Sequence, residues 1–167
     1  MSTPPPIAPL PQLKVLAFAL ITAPFVMFAA MAAVLGLSMD PPPILVIVGL
    51  LATVVLAYFT AEAVGFRAAP LPPGPPHDAE SRKRVSLELF KRSMFVRYAI
   101  CELPIILALT ACFLLPHGLW PFTIVIVPGV ALLAYEAWPG SRNIEKYAAV
   151  LERDGGQSLL RELGRPR

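Results

Sequence analysis

Four apolar stretches, at residues 15–37, 44–64, 94–115 and 119–138, alternate with short or charged connections along the chain. Each is close to the roughly 20 helical residues that cross a hydrocarbon core of about 30 Å. The pattern predicts an all-α protein, a four-helix transmembrane bundle occupying residues 13–138. Trp120 and Trp138 are placed to reach the interfacial belts at the two ends of span four. A cleaved signal peptide is the competing reading of span one, with the small residues at 29–33 as a cleavage site, but its apolar run is longer than an ordinary h-region and favours a retained helix.

The polar segments organise the rest. Residues 1–12, with Pro4, Pro5, Pro6, Pro9 and Pro11, read as an extended tail. Residues 65–93 form a basic linker whose PLPPGPP stretch at 70–76 reads as a stiff spacer, with an SH3-type PxxP ligand as the alternative. After the spacer Asp78 can cap a helix with Val85, Leu89 and Phe90 on its apolar side, and Arg82, Lys83, Lys91 and Arg92 free to reach phosphates. That helix is expected to run into span three. In the tail at 139–167, Ile144, Tyr147, Ala148 and Leu151 share one face of an amphipathic helix that Gly155 and Gly156 end, and a short helix around Leu159, Leu160 and Leu163 follows. Such helices either lie on an anionic leaflet or dock a partner, with Ile144, Tyr147 and Leu151 as the contact stripe.

Charge placement sets the orientation. Lys and Arg crowd the 65–93 linker and the tail and are absent from the connections at 38–43 and 116–118. The positive-inside rule puts linker, tail and both termini in the cytoplasm, in a cell (inner) membrane. A duplication of the first hairpin in the second is a further expectation. Residues 18–24 align with 98–104 at a shift of 80, and Leu56-Ala57-Tyr58 with Leu133-Ala134-Tyr135 at a shift of 77, which places Thr22 opposite Glu102.

A hydrophobic content of 56% is too high for an ordinary soluble domain, and a net charge of +3 without basic-aromatic stripes points away from nucleic acid. The partners expected are the lipid bilayer and other membrane subunits or a second copy of the chain. Cys101 and Cys112 are eleven residues apart in one span, too far to bridge, and read as buried thiols. With His77 in the linker, His117 at an outer turn and no HExxH, GxSxG or phosphate loop, the sequence predicts no enzyme, no cofactor and no metal.

Chemistry is expected at Glu102, read as the one ionisable group at membrane depth. Glu62 and Glu136 lie near span ends, where they are expected to snorkel. An acid at the centre of a span costs about 3 kcal/mol, and the eleven Leu, Ile, Val and Phe residues of span three return about 0.3–0.6 kcal/mol each, so the span still inserts. Tyr98 lies one turn earlier on the same face, and Thr22, Thr53 or Thr60 is expected to reach the acid from neighbouring helices. Pro24 and Pro104 mark expected kinks, Pro104 freeing the carbonyl of Ile100 beside the acid. Such a carboxyl either bonds helices together or carries a proton or cation.

The stretch RSMFVRYAICELPII at 92–106 resembles the carboxylate helix of the proteolipid c subunit of rotary ATP synthases, in which an Arg follows the cytoplasmic loop and a mid-membrane acid is often followed by Pro. The resemblance covers spans two and three at most and rests on Glu102 and Pro104. It implies that Glu102 is a proton- or sodium-carrying carboxylate. Span two has Gly49 and Gly65 but no repeated GxGxGxG, and the linker is longer than the family's loop. The expected function is therefore a small non-catalytic membrane protein, an accessory or assembly partner, with a proteolipid-like translocator or small transporter using Glu102 as the alternative.

Overall fold

A computed structural model describes residues 10–36, 40–73 and 78–164. Among these the chain is all-helical, with α1 at Leu10–Leu35, α2 at Ile44–Val64, α3 at Ala79–Leu114, α4 at Trp120–Ala137, α5 at Ser141–Leu151 and a single-turn α6 at Leu160–Gly164. The first four are long and apolar enough to cross a membrane. The bounds of α2 are those the hydrophobic run marks out. By contrast α1 begins at Leu10, inside the stretch expected to be extended, because Pro11 falls in the first turn, where its missing N–H has no helical partner to lose. The remainder of that tail, residues 1–9, lies outside the described residues.

Asp78 caps α3 by accepting from the Glu80 N–H at 3.0 Å, and the helix then runs unbroken for 36 residues through the basic linker and span three. Its covered face is the expected one at Phe90 and in part at Leu89, and differs at Val85. Ser86, Leu87, Phe90, Ser93, Met94 and Arg97 are buried, while Val85 is 48% exposed. Phe90 packs on Tyr147 of α5, and Ser93 and Arg97 pack on Gly65 at the end of α2.

At the centre α4 touches α1, α2 and α3, and its most extensive contact is with α3. Gly129 allows that approach, since a Cβ there would stand 2.8 Å from Ile105. Close backbone contact of this kind holds apolar helices together by dispersion where lipid removes the hydrophobic drive. The main contact of α1 is α4, not α2, so the first hairpin does not repeat the α3–α4 packing. Both α1 and α3 stay helical across Pro24 and Pro104, whose rings are buried. Cys101 and Cys112 are free and buried, as expected.

The linker is tied to the tail. Leu71 donates its N–H to the Leu151 carbonyl at 2.8 Å, and a Cβ on Gly156 would meet the Leu71 carbonyl at 2.8 Å. The PLPPGPP spacer thus starts as a segment pressed against the tail, and residues 74–77 lie outside the described residues. Leu159 takes a positive φ of 58° just before α6.

Candidate functional site at the charged end of the bundle

Two polar features sit among the spans. The first is the expected one. Tyr98 Oη donates to Glu102 Oε1 at 2.8 Å, one turn apart on α3, with Tyr98 buried and Glu102 partly buried. None of the three expected threonines joins them. Thr22 donates to the carbonyls of Phe18 and Ala19 in its own helix, and Thr53 and Thr60 donate to Leu50 and Leu56 in theirs. Thr53 and Thr60 instead line a cleft of about 200 Å³ between α2 and α3, opposite Ile100, Leu103, Pro104 and Leu107. At about 100° per residue, Glu102 falls on roughly the opposite side of α3 from that stripe.

The second feature was not anticipated. The C-terminal ends of α2 and α4 meet α3 near Arg97, and α5 folds back over them after the turn at Pro139 and Gly140. Arg97 and Glu136 have fully buried side chains. Arg97 Nη1 donates to the Glu136 carbonyl and lies 3.9 Å from Glu136 Oε2. Arg142 bridges the two acids, with Nη2 donating to Glu62 Oε1 at 2.7 Å and Nη1 3.6 Å from Glu136 Oε1. Lys146 donates to the other oxygen of Glu62. Three cations therefore face two carboxylates. Aromatic rings complete the setting. The Arg97 guanidinium and the Lys146 ammonium each lie 4.3 Å from the Phe66 ring centre, and Arg142 lies 3.8 Å from that of Tyr135. Such contacts gain strength where water is excluded.

The backbone is shaped around Arg97. Gly65 lies against it so closely that a Cβ would sit 2.0 Å from Arg97 Cγ, and Ser93 Oγ donates to the Gly65 carbonyl. Asn143 Nδ2 donates to the carbonyls of Tyr135, Glu136 and Trp138 at 3.1, 3.1 and 2.8 Å, which satisfies acceptors left open where α4 ends. Glu136 does not snorkel: it is covered by the arginines and by α5. Within the cluster its carboxylate is held by charge at 3.6–3.9 Å, with no hydrogen bond to either oxygen. That arrangement tightens the bundle only while both signs are present.

The tail stripe is also accounted for. Ile144, Tyr147 and Leu151 are 3%, 2% and 0% exposed, covered within the chain rather than offered outward. Tyr147 stacks edge-on against Phe90, with ring centres 5.8 Å apart, and donates its hydroxyl to the Leu89 carbonyl at 3.0 Å. Burial raises the Tyr147 phenol above its ordinary range, which keeps it a neutral donor. No group of three or more His, Cys, Asp or Glu placed to hold a metal occurs among the described residues.

Sequence reading passed over the cluster although a signal existed. Arg97 stands three residues inside the apolar run at 94–115, and Glu62 and Glu136 stand near those ends of the runs at 44–64 and 119–138 that an alternating up-and-down chain brings to the same end of the bundle. Comparison of the chain with protein families, with characterised proteins and with solved structures finds no match.

Proposed function

We propose that the chain is a small multi-pass protein of the cell (inner) membrane, with the charged end of its bundle and both termini in the cytoplasm. Its role is non-catalytic, as an accessory or assembly subunit associating with other membrane proteins or with itself. The observation that carries this reading is the charge cluster. Its acids and bases are engaged with one another and hold α5 on α2 and α4. Along the long helices the surface offered outward is apolar, with Val15, Val26 and Val34 of α1 70% exposed or more. In cells, a reporter fused at Gly74 is expected to read the cytoplasm, and mild detergent is expected to extract the chain in a particle larger than its monomer. An external reading overturns the orientation, and monomeric extraction overturns the assembly role.

The Tyr98–Glu102 hydrogen bond favours a second reading, a proton or cation translocator of proteolipid-like character. Gln at position 102 keeps shape and hydrogen bonding but does not titrate, whereas Leu keeps neither. If Glu102 carries ions, Glu102→Gln abolishes pH-dependent flux in proteoliposomes with the fold intact. If it only joins groups within the bundle, the wild type conducts nothing, Gln is nearly neutral, and Leu costs about 0.6 and up to about 2 kcal/mol. Full flux through the Gln variant rules out the carrier.

A further inference from the structure

On the face where the linker leaves α2, a cleft of about 330 Å³ opens between the end of that helix and the cytoplasmic half of α3. Its floor is apolar, formed by Val64 and Val96, and its rim carries Arg67 and Arg92. The cleft lies where the apolar spans give way to charge. Arg67 stands three residues past the end of α2, and Arg92 stands two residues before the apolar run of α3 begins. That is the depth of a phospholipid headgroup.

Arg67 and Arg92 are the two cations that line this cleft, and both are exposed and without a carboxylate partner among the described residues. Arg97, Arg142 and Lys146 face carboxylates, as do Lys83 and Arg161. Arg67 uses only Nε, on the Ala63 carbonyl, and Arg92 forms no ion pair or hydrogen bond among the described residues. No Asp or Glu lines the cleft, and Glu88, one turn before Arg92, does not pair with it. The other side-chain donors there are committed: Ser93 to Gly65, and Tyr147 to Leu89. Two exposed guanidinium groups above an apolar floor are complementary to a phosphate ester carrying acyl chains. A planar guanidinium can grip two phosphate oxygens at once, and about 330 Å³ is at the small end of ligand-sized pockets.

We propose that this cleft is a binding site for the phosphate headgroup of an anionic phospholipid, gripped by Arg67 and Arg92 with an acyl chain along Val64 and Val96. The proposal rests on the membrane reading above and not on which subunit role is correct. It commits to lipid rather than free phosphate because the arginines lie directly above exposed apolar side chains of two spans, where a soluble anion gains nothing from the floor.

The test uses the full chain reconstituted into phosphatidylcholine vesicles, which are floated after an alkaline wash. Protein that does not float overturns the membrane reading and this site together. Floated protein is then exchanged into detergent, and bound lipid is counted by native mass spectrometry in equal mixtures of phosphatidylglycerol and phosphatidylcholine. Wild type is expected to retain one phosphatidylglycerol with about a thirtyfold preference, the scale set by two interfacial cations at about 1 kcal/mol each. Arg67→Gln with Arg92→Gln should bring that preference down to parity. Ala69→Glu, which puts a carboxylate into the cleft and leaves both arginines in place, should do the same, while Arg153→Gln, which does not line the cleft, should not. Equal retention of the two lipids by wild type, or an undiminished preference in the Ala69→Glu and double-Gln proteins, overturns the site. Displacement of the lipid by millimolar inorganic phosphate overturns the lipid and leaves a phosphate site.

Discussion

Glu136→Leu is expected to cost about 3 kcal/mol of stability, measured by unfolding in mixed micelles. Breaking a buried ion pair by removing one partner costs about 3–5 kcal/mol, because the partner stays buried and unpaired. The low end applies because Arg97 keeps its hydrogen bond to the backbone carbonyl of residue 136, which the substitution does not remove. The measurement separates pairing from simple packing through a second change. Arg97→Met alone should be costly as well, since it leaves Glu136 buried with only Arg142, 3.6 Å away. The two changes together should cost clearly less than the sum of the singles, because an apolar pair of similar volume is often neutral against a buried ion pair. Additive costs, or a Glu136→Leu protein within about 0.5 kcal/mol of wild type, would remove the pair from the forces that hold the bundle.

The four long apolar helices were legible because their signal is local. Composition alone tells where about 20 residues can cross a bilayer, and Ile44–Val64 emerges with the bounds its hydrophobic run implies. The cap at Asp78 and the continuity of α3 were legible for the same reason, since both depend on neighbours within a few residues. Periodicity also placed Ile144, Tyr147 and Leu151 on one face of α5. It could not tell what covers that face. The cover comes from Leu71 and from the Leu89–Phe90 turn of α3, some 60 to 80 residues earlier, and pairing at that separation leaves no trace in a short window.

The charge cluster was missed for a related reason. Weighing each ionisable residue by its depth in its own span makes Glu102 stand out and makes Glu62 and Glu136 look like residues that reach for water. Depth is measured along one helix, but pairing is decided between helices. Glu62, Arg97 and Glu136 reach the same end of the bundle because α2 and α4 run toward it while α3 runs away from it, and α5 then supplies the cations that close the group. The suspected hairpin repeat failed to appear in the packing on the same ground: α1 and α2 match α3 and α4 in short strings, yet α1 settles on α4. The Tyr98–Glu102 bond was readable because four residues along a helix bring side chains together whatever surrounds them.

Gly65→Ala is expected to destabilise the protein by about 1–3 kcal/mol, and by more where Arg97 is driven from its carboxylate. The backbone gives no reason for glycine here: φ is −66° and ψ is −24°, ordinary helical values that alanine adopts readily. The reason is steric. An added Cβ would stand 2.0 Å from Arg97 Cγ, 2.7 Å from Cδ and 2.6 Å from the Ala61 carbonyl oxygen. The arginine cannot swing aside freely, since its guanidinium lies against Phe66 and is bonded to the Glu136 carbonyl. Two comparisons make the cause identifiable. At Gly49 a Cβ meets nothing within 4 Å, so Gly49→Ala should be neutral or gain up to about 1 kcal/mol from better helix propensity. In an Arg97→Ala background the arginine is gone and only the Ala61 carbonyl, 2.6 Å from the added Cβ, still stands in the way, so the cost of Gly65→Ala should fall clearly without vanishing. If Gly65→Ala costs as much without the arginine as with it, contact with Arg97 is not what position 65 is shaped to permit.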